Sequence, residues 1–305
     1  MFPFYIPSIY RHDSEFLIKI RDSKPSIKYY IIIASHQLEN YAKLYPSKNL
    51  VVLPDTIIKI SEIRQFILEL AIKNKETKIW MSDDDLSKFF IKMKKENKKE
   101  NKKENKKENK KENQKTTSHL EHQLLEKLSS DNQENILDEV SFQEFLYNAE
   151  IIFNKLSILD TSLVQFGFKY STFSIPVKPI TINSNVGMIQ FLDIERIQKQ
   201  IQKGEIAYDT SFIALEDTDF TIQLFNHGFK NCILNHYIFT APRSGSGKGG
   251  LEKTYSEGGK QKGIKRFLAK YKNLITISDL EKAKYKIAWN KFKDLDLEKE
   301  LMEKI

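Results

Sequence analysis

Apolar residues in the N-terminal part of the chain form short continuous runs, which alternate with segments of helical periodicity. The continuous runs, which predict strands, are Phe2–Ile9, Tyr29–Ser35, Asn49–Leu53 and Lys78–Met81. Helical spacing predicts helices over His36–Leu44 and Ile60–Ile72. Strands that are apolar throughout and alternate with amphipathic helices are typical of a mostly parallel sheet with helices on both faces.

The same alternation continues after residue 118. Further strands are predicted over Leu163–Phe168, Gly187–Leu192 and Asn231–Thr240. Further helices are predicted over His119–Leu128, Phe142–Leu156, Ile194–Gln202, Glu216–His227, Lys260–Tyr271 and Leu280–Phe292, and Pro242–Gly259 is predicted to be a glycine-rich loop. The pattern therefore predicts an α/β domain over residues 1–275 and a C-terminal helical extension over residues 276–305.

A repeat of Lys-Lys-Glu-Asn interrupts this pattern over residues 94–115. It contains eleven Lys and five Glu, a net charge of +6, while the whole chain has +8. Because the repeat has no apolar residue, it buries nothing that offsets the entropy of ordering, and we expect a disordered insertion in a surface loop. The basic character of the whole chain is therefore weak evidence about the partners of the folded domain.

The remaining composition suits a protein with a large core. The chain has 305 residues, of which 40% are hydrophobic, and no apolar run reaches the length of about 18 residues that a bilayer span needs. No basic segment followed by a long apolar stretch opens the chain, so we expect no secretory signal. The single cysteine, Cys232, lies in a predicted strand, where we expect a buried thiol and a reducing, cytoplasmic environment.

Three carboxylates, those of Asp83, Asp84 and Asp85, directly follow a predicted strand. Adjacent carboxylates raise each other's pKa values, and their oxygens are the ligands that Mg²⁺ and Mn²⁺ prefer. Parallel sheets place ligands at the carboxyl ends of their strands. Strand alternation puts Asp83 and Asp85 on one face, so we predict them as metal ligands, with Asp83 also towards the nucleotide. Asp84 is predicted as a helix cap or supporting group; alternatively, the triplet only caps a helix at Leu86.

A second acidic cluster, Glu216-Asp217-Thr218-Asp219, opens a predicted helix. Carboxylates are stabilised at a helix N-terminus by the helix dipole, so simple capping is one interpretation. The other interpretation is a general base that removes the proton of an acceptor hydroxyl. On that interpretation Asp217 is the predicted base and Asp219 is its reserve.

Residues 241–275 are locally basic, with nine Lys or Arg against two Glu, a net charge of +7. The run Gly245–Gly250 departs from a P-loop, because a proline stands in place of the first glycine and a glycine follows the lysine. We predict a lid over a diphosphate or a clamp on a nucleic-acid backbone, with Arg243 and Lys248 at the phosphates; a solvated loop is the alternative. His236, just before this segment, is predicted to complete the metal shell, with a structural histidine as the alternative.

Four features in chain order resemble the GT-A-type nucleotide-sugar glycosyltransferases, and more narrowly the TET-associated glycosyltransferases. They are the strand end Ile6–Arg11, Leu53-Pro54-Asp55 followed by a helix bearing Arg64, the acidic strand end Ile79–Asp85, and Glu216–Asp219 followed by the glycine-rich loop. The resemblance covers about residues 1–92 and 160–272. The Lys-Lys-Glu-Asn repeat departs from the family.

The resemblance implies a GT-A-like, Rossmann-like α/β fold and the transfer of a hexose from a UDP-sugar with Mn²⁺ or Mg²⁺. It implies 5-hydroxymethylpyrimidine in DNA as the acceptor. Asp85 would then hold the metal, while Ser8, Arg11, Arg64 and Asp83 would line the nucleotide.

Three other functions share parts of this pattern. A glycosyltransferase acting on a protein or a surface glycan would use the same acidic strand end. A nucleic-acid-binding module without catalysis would need only the basic segment. Nucleotidyl transfer from a nucleoside triphosphate would also use the acidic site.

Overall fold

The computed structural model of the protein describes residues 1–23, 27–94, 135–171, 176–242 and 256–304. Within these ranges the chain forms a ten-stranded sheet, a separate two-stranded sheet and eight α-helices. The strands are β1 (Phe4–Pro7), β2 (Tyr29–Ala34), β3 (Leu50–Leu53), β4 (Lys78–Ser82), β5 (Phe89–Lys94), β6 (Asn135–Val140), β7 (Leu163–Tyr170), β8 (Ile180–Ile182), β9 (Ile189–Asp193), β10 (Lys230–Phe239), β11 (Ile275–Asp279) and β12 (Lys284–Ile287). The helices are α1 (Glu15–Arg21), α2 (Leu38–Ala42), α3 (Ile60–Lys73), α4 (Phe142–Leu159), α5 (Ile194–Gln202), α6 (Glu216–Asn226), α7 (Gly259–Lys270) and α8 (Leu295–Lys304). Short 3₁₀ turns lie at Ser35–Gln37, Ser47–Asn49 and Trp289–Lys291.

The large sheet has the strand order β3-β2-β1-β4-β9-β7-β10-β5-β6, and β8 also pairs with β10. Parallel pairing joins β3, β2, β1 and β4, and it also joins β7 to β10. The strands β9, β5 and β8 run against their neighbours. Most strands therefore point in one direction, which confirms the predicted mixed, mostly parallel sheet.

Two hydrophobic cores cover the two faces of this sheet. Successive side chains of a strand point to opposite faces, so Phe4 and Ile6 enter one core while Tyr5 enters the other. The first core is closed by α1, α4 and α8, and the second by α3, α5 and α6. This arrangement explains why the N-terminal strands are apolar throughout. Cys232 is buried in β10, and burial raises the pKa of its thiol.

The C-terminal extension differs from its prediction. The helix predicted over Leu280–Phe292 is wrong, because β11 and β12 form an antiparallel hairpin there. Along β12 the exposed and half-buried residues alternate, with Tyr285 and Ile287 turned inwards, which is the period of a strand. Only α8 is helical in this extension, and its Leu301 is 1% exposed and packs against the first core.

Two strands that the sequence pattern did not reveal flank the Lys-Lys-Glu-Asn repeat. The strands β5 and β6 pair in antiparallel fashion, and Lys94 lies opposite Asn135 at the end of their register. The predicted helix His119–Leu128 and all of the repeat after Lys94 lie outside the described residues. The chain therefore leaves and re-enters the sheet at adjacent positions. Among the described residues, no helix is both long enough and apolar enough to cross a membrane.

Because residues 94 and 135 are already paired, we expect a short turn to replace residues 95–134 without harm to the fold. Loop-closure entropy then favours the shortened chain by up to about 2 kcal/mol in the free energy of unfolding. Urea unfolding of this deletion variant, compared with a variant carrying a Gly-Ser segment of the original length, measures the effect. A loss of stability in both variants relative to the wild type would show that residues 95–134 contribute to the fold.

Candidate active site

The carboxyl ends of β1 and β4 lie side by side, because these strands pair in the large sheet. The chain leaves β1 through Ser8–Arg11 and leaves β4 through Asp83–Asp85. Tyr10 has a φ of 61°, a left-handed conformation that is uncommon for residues other than glycine, and its N–H donates to Gln37 Oε1 at 2.7 Å. The sheet thus brings Arg11 to the acidic strand end.

Arg11 holds two of the three carboxylates. Its Nη1 donates to Asp84 Oδ1 and to Asp85 Oδ2, both at 2.8 Å. Ser8 Oγ donates to Asp84 Oδ2 at 2.6 Å and lies 2.8 Å from Tyr41 Oη. Asp84 is 5% exposed, and burial raises its pKa to about 6 although Arg11 and Ser8 lower it.

This placement excludes Asp84 as a helix cap and confirms it as a supporting group. The strand β4 ends at Ser82, so its alternation does not extend through the three aspartates, and no helix begins at Leu86. The carboxylate of Asp84 is instead a buried group that fixes Ser8 and Arg11 at the end of β1.

Asp85 and Asp83 are the accessible carboxylates of the triplet. Their side chains are 23% and 29% exposed. Burial raises the pKa of Asp85, and the charge of Asp83 raises it further against the effect of Arg11. Among the described residues, Asp85 Oδ1 has no hydrogen-bond partner although it is buried. An unpartnered anionic oxygen beside a second carboxylate fits a divalent cation that takes oxygen ligands.

The predicted metal set of Asp83, Asp85 and His236 is not assembled as a whole. Within the described ranges, no group of three or more His, Cys, Asp or Glu could hold a metal ion. His236 lies on β10, two strands removed from β4 by β9 and β7, and its Nε2 is 3.1 Å from the carbonyl oxygen of Val177. The prediction of His236 as a ligand is therefore wrong, whereas Asp83 and Asp85 remain predicted ligands.

Arg64 joins the acidic strand end to the second acidic cluster. It projects from α3, and its side chain is 6% exposed. Its Nη2 donates to Asp83 Oδ1 at 2.8 Å, and its Nη1 lies 3.0 Å from Glu216 Oε1. Burial opposes the charged guanidinium, but Glu216 and Asp83 outweigh it and raise the pKa of Arg64. The predicted role of Arg64 at the nucleotide is corrected, because its guanidinium is buried between two carboxylates.

The N-terminus of α6 carries the second cluster into the same site. Leu215, with a φ of 69°, precedes the helix and has no side-chain cap to offer. Burial raises the pKa of Glu216 to about 7, and the charge of Asp217 adds to the rise against Arg64. Burial also raises the pKa of half-buried Asp217, with Arg64 lowering it and Asp83 raising it. A carboxylate with a raised pKa close to Asp83 suits a general base.

Asp219 has a structural position. It is 0% exposed, and its Oδ1 accepts from Tyr271 Oη at 2.8 Å and pairs with Lys270 Nζ at 2.7 Å. Gln223 Nε2 donates to the other oxygen at 2.6 Å. Because both oxygens are enclosed and occupied, the prediction of Asp219 as a reserve base is corrected. It instead ties α6 to the end of α7.

Other residues at the site had no clear signal in the sequence. The sequence predicts Glu216 only as a member of the second acidic cluster and gives it no role of its own. Its pairing with Arg64 depends on a contact between distant segments. Tyr10 is 64% exposed at the end of β1, and its hydroxyl lies 2.9 Å from His36 Nε2. Arg243 and Lys248 lie outside the described residues, so their placement at phosphates stays a prediction.

Comparisons with known proteins show the family of the chain. The sequence model of the family described as TET-Associated Glycosyltransferase (TAGT) matches residues 2–250, more than half of the chain. Among solved structures, the chain is similar to CMP:2-keto-3-deoxy-manno-octonic acid synthetase complexed with CTP, with 9% sequence identity and a TM-score of 0.38. That match covers 88% of this chain and 99% of the other. No curated protein matches the sequence.

Replacing Arg64 by Met should lower the free energy of unfolding by about 3–5 kcal/mol, because Glu216 would be left buried without its cation and the partly exposed Asp83 would lose its partner. The matched control is Arg21→Met, which removes an arginine from an exposed pair with Asp22 and should change the stability far less. Urea unfolding measures both variants. Equal losses in the free energy of unfolding of the two variants would show that the ion pairs of Arg64 stabilise the fold no more than an exposed pair does.

Stability should fall as the pH rises from about 4.5 towards 7. Burial raises the pKa of Glu216 from 4.5 to about 7, so in this window the folded state keeps a proton that the unfolded state releases. Unfolding at both ends of the window, in the wild type and in Glu216→Gln, measures the slope, which should be shallower in the variant. The control Glu39→Gln, on an exposed side chain of α2, should keep the full slope. An unchanged slope in Glu216→Gln would contradict this assignment.

Proposed function

Because the chain belongs to the TET-associated glycosyltransferase family, and is therefore a glycosyltransferase, we propose that it transfers a hexose from a UDP-sugar to an acceptor hydroxyl with the help of Mn²⁺ or Mg²⁺. One observation carries the proposal. Arg64 brings the acidic end of β4 and the acidic start of α6 into a single site. That site has an accessible carboxylate pair on one side and a separate carboxylate, Asp217, on the other.

The donor side of the proposal rests on Asp83 and Asp85. Their carboxylates would hold the cation, with water and diphosphate oxygens as its other ligands. When bound, the cation neutralises the negative charge that the departing diphosphate gains. Ser8 and Arg11 lie at the adjoining end of β1, where Ser8 is fixed by Asp84 and Arg11 by two carboxylates. These contacts orient the end of β1 beside the diphosphate.

The acceptor side of the proposal rests on Asp217. Its carboxylate accepts the proton of the acceptor hydroxyl, whose oxygen then bonds to the anomeric carbon of the sugar. The bond between that carbon and the diphosphate oxygen breaks, and its electron pair leaves with the diphosphate. The raised pKa of Asp217 supports this role, because a stronger base takes the proton more readily. A single displacement of this kind inverts the anomeric configuration.

We propose 5-hydroxymethylpyrimidine in DNA as the acceptor, as the family resemblance implies. An intracellular location would follow from this acceptor. The positive charge around α7, beside the acceptor side of the site, supports it. A panel of acceptors tests the assignment: duplex DNA with and without hydroxymethylated pyrimidine, a protein mixture and a glycan. Transfer only to the protein mixture or the glycan would contradict DNA as the acceptor and would leave the proposed donor chemistry unchanged.

Changing Asp217 to Asn should lower kcat by about 10²–10⁴, because no base then accepts the acceptor proton. Changing Asp85 to Asn should remove the Mn²⁺-dependent part of the thermal shift that a UDP-sugar causes, because Asp85 Oδ1 would no longer be an anionic ligand. Transfer assays and melting curves with a panel of sugar nucleotides and triphosphates measure these effects.

The matched control is Asp296→Asn, which alters an exposed carboxylate on α8 and should behave as the wild type. Metal-dependent sugar transfer at the wild-type rate by the Asp85→Asn variant would contradict the assignment of Asp85 as a ligand of the cation. Stabilisation of the wild type by a nucleoside triphosphate, and by no sugar nucleotide, would favour nucleotidyl transfer instead.

A further inference from the structure

The segment 256–293, here called the basic module, consists of α7, the β11–β12 hairpin and the 3₁₀ turn that follows. It contains eleven Lys or Arg and three Asp or Glu, a net charge of +8. A segment of this size thus carries as much net positive charge as the entire chain, and it lies within the described residues. Its charge therefore belongs to folded surface.

The basic module is packed directly against the acceptor side of the site. A Cβ atom added at Gly263 of α7 would lie 2.7 Å from the carbonyl oxygen of Ala214, so the α7 backbone approaches the loop before Glu216 closely. Phe267 of α7 shares a buried core with Phe212 of that loop. Together with the contacts of Lys270 and Tyr271 to Asp219, these interactions fix the basic module beside the N-terminus of α6.

The hairpin presents two different faces. On β12, Tyr285 is half-buried on the side of Asp217, and burial together with the charge of Asp217 raises the pKa of Tyr285 to about 12. Beyond the hairpin, Phe292 packs on Phe225 of α6 with ring centroids 5.1 Å apart. Lys284 and Lys286 alternate with the inward residues and are exposed. The inward face therefore anchors the hairpin to the site, and the outward face is basic.

Many of these charges have no partner within the folded chain. Among the described residues, six exposed lysines of the basic module make neither an ion pair nor a side-chain hydrogen bond: Lys262, Lys265, Lys272, Lys284, Lys286 and Lys293. Elsewhere, some exposed lysines on the helices are paired, as Lys19 is with Glu15 and Lys43 with Glu39, and others, such as Lys73 and Lys199, are dispersed over separate helices. Unpaired like charges on one surface repel each other, and they are stabilised when an external polyanion binds.

We propose that the outward face of the basic module binds the phosphate backbone of the DNA acceptor and so holds the modified base beside Asp217. This inference rests on the proposed function and adds the surface that recognises the acceptor. The contacts are made by lysine ammonium groups, which bind phosphates without reading the sequence. The lysines would therefore supply affinity, and the site itself would select the hydroxymethylated base.

The polar character of the surface favours DNA over a membrane. Basic surfaces that bind membranes usually add exposed large apolar side chains, which enter the lipid interface. Within the basic module as described, Leu268 is the one exposed large hydrophobic residue, and it is 37% exposed. The exposed positions of β11 are Thr276 and Ser278. Such a surface suits the hydrated backbone of a nucleic acid.

The test compares two triple variants of the full chain that lose the same charge. The first, Lys272→Gln, Lys284→Gln and Lys286→Gln, removes charges from the basic module. The second, Lys48→Gln, Lys73→Gln and Lys199→Gln, removes exposed lysines that lie elsewhere and make no ion pair among the described residues. Fluorescence anisotropy with a labelled duplex of about 20 base pairs, at salt concentrations from roughly 50 to 200 mM, gives the affinity and its salt dependence. Melting curves confirm that both variants are folded.

We expect the first variant to bind DNA about ten-fold or more weakly at low salt. The slope of log K against the logarithm of the salt concentration should become shallower by about 3, since each of three lost phosphate contacts contributes about 0.9 to its magnitude. The second variant should keep the wild-type affinity within about two-fold. Equal weakening in the two variants, or no weakening in the first, would overturn the proposal. Binding of the wild type to phosphatidylserine vesicles in preference to the duplex would also overturn it, in favour of a membrane. The UDP-sugar thermal shift of the wild type is a separate measurement, so its absence would count against the proposed function and not against the DNA surface.

Discussion

The organisation of the site depends on the buried guanidinium of Arg64. It draws together Asp83, at the end of a central strand, and Glu216, at the start of a helix from the other half of the chain. A buried cation is costly unless it is paired, and here two carboxylates supply that pairing. The rest of the site follows from this arrangement, because the helix that begins at Glu216 also carries Asp217, and the segment that follows β4 carries Asp85 as well as Asp83.

The arginines do not neutralise the site. Arg11 pairs with Asp84 and Asp85, and Arg64 pairs with Asp83 and Glu216, while Asp217 is a further carboxylate in the same field. The excess negative charge explains why burial and mutual repulsion raise the pKa values of several of these groups. Such a field favours an incoming cation, and this supports the proposal of a divalent metal at Asp83 and Asp85.

The acceptor side depends on a second buried group, Asp219. By binding Lys270, Tyr271 and Gln223, it connects the helix that carries Asp217 to the basic helix behind it. The aromatic contact of Phe292 with Phe225 extends this connection to the end of the hairpin. Asp219, predicted as a reserve base, is thus a structural residue, and its contacts hold α7 beside the helix that carries Asp217.

The sequence by itself determined the sheet, most of its strands and helices, and the two acidic motifs, because continuous apolar runs and helical periodicity are local signals. It also indicated the family through Ile79–Asp85 and Glu216–Asp219. Local signals are insufficient where contacts between distant segments decide the structure. The residues around Tyr285 resemble a helix in sequence but form a strand, and the strands β5 and β6 beside the repeat have no clear signal in the sequence. Only the tertiary structure decided which carboxylates are paired, which are enclosed and which remain accessible, as at Asp84, Asp219 and Asp85. The physical reason is that burial and ion pairing arise between segments far apart in the chain, and no pattern within either segment records the contact.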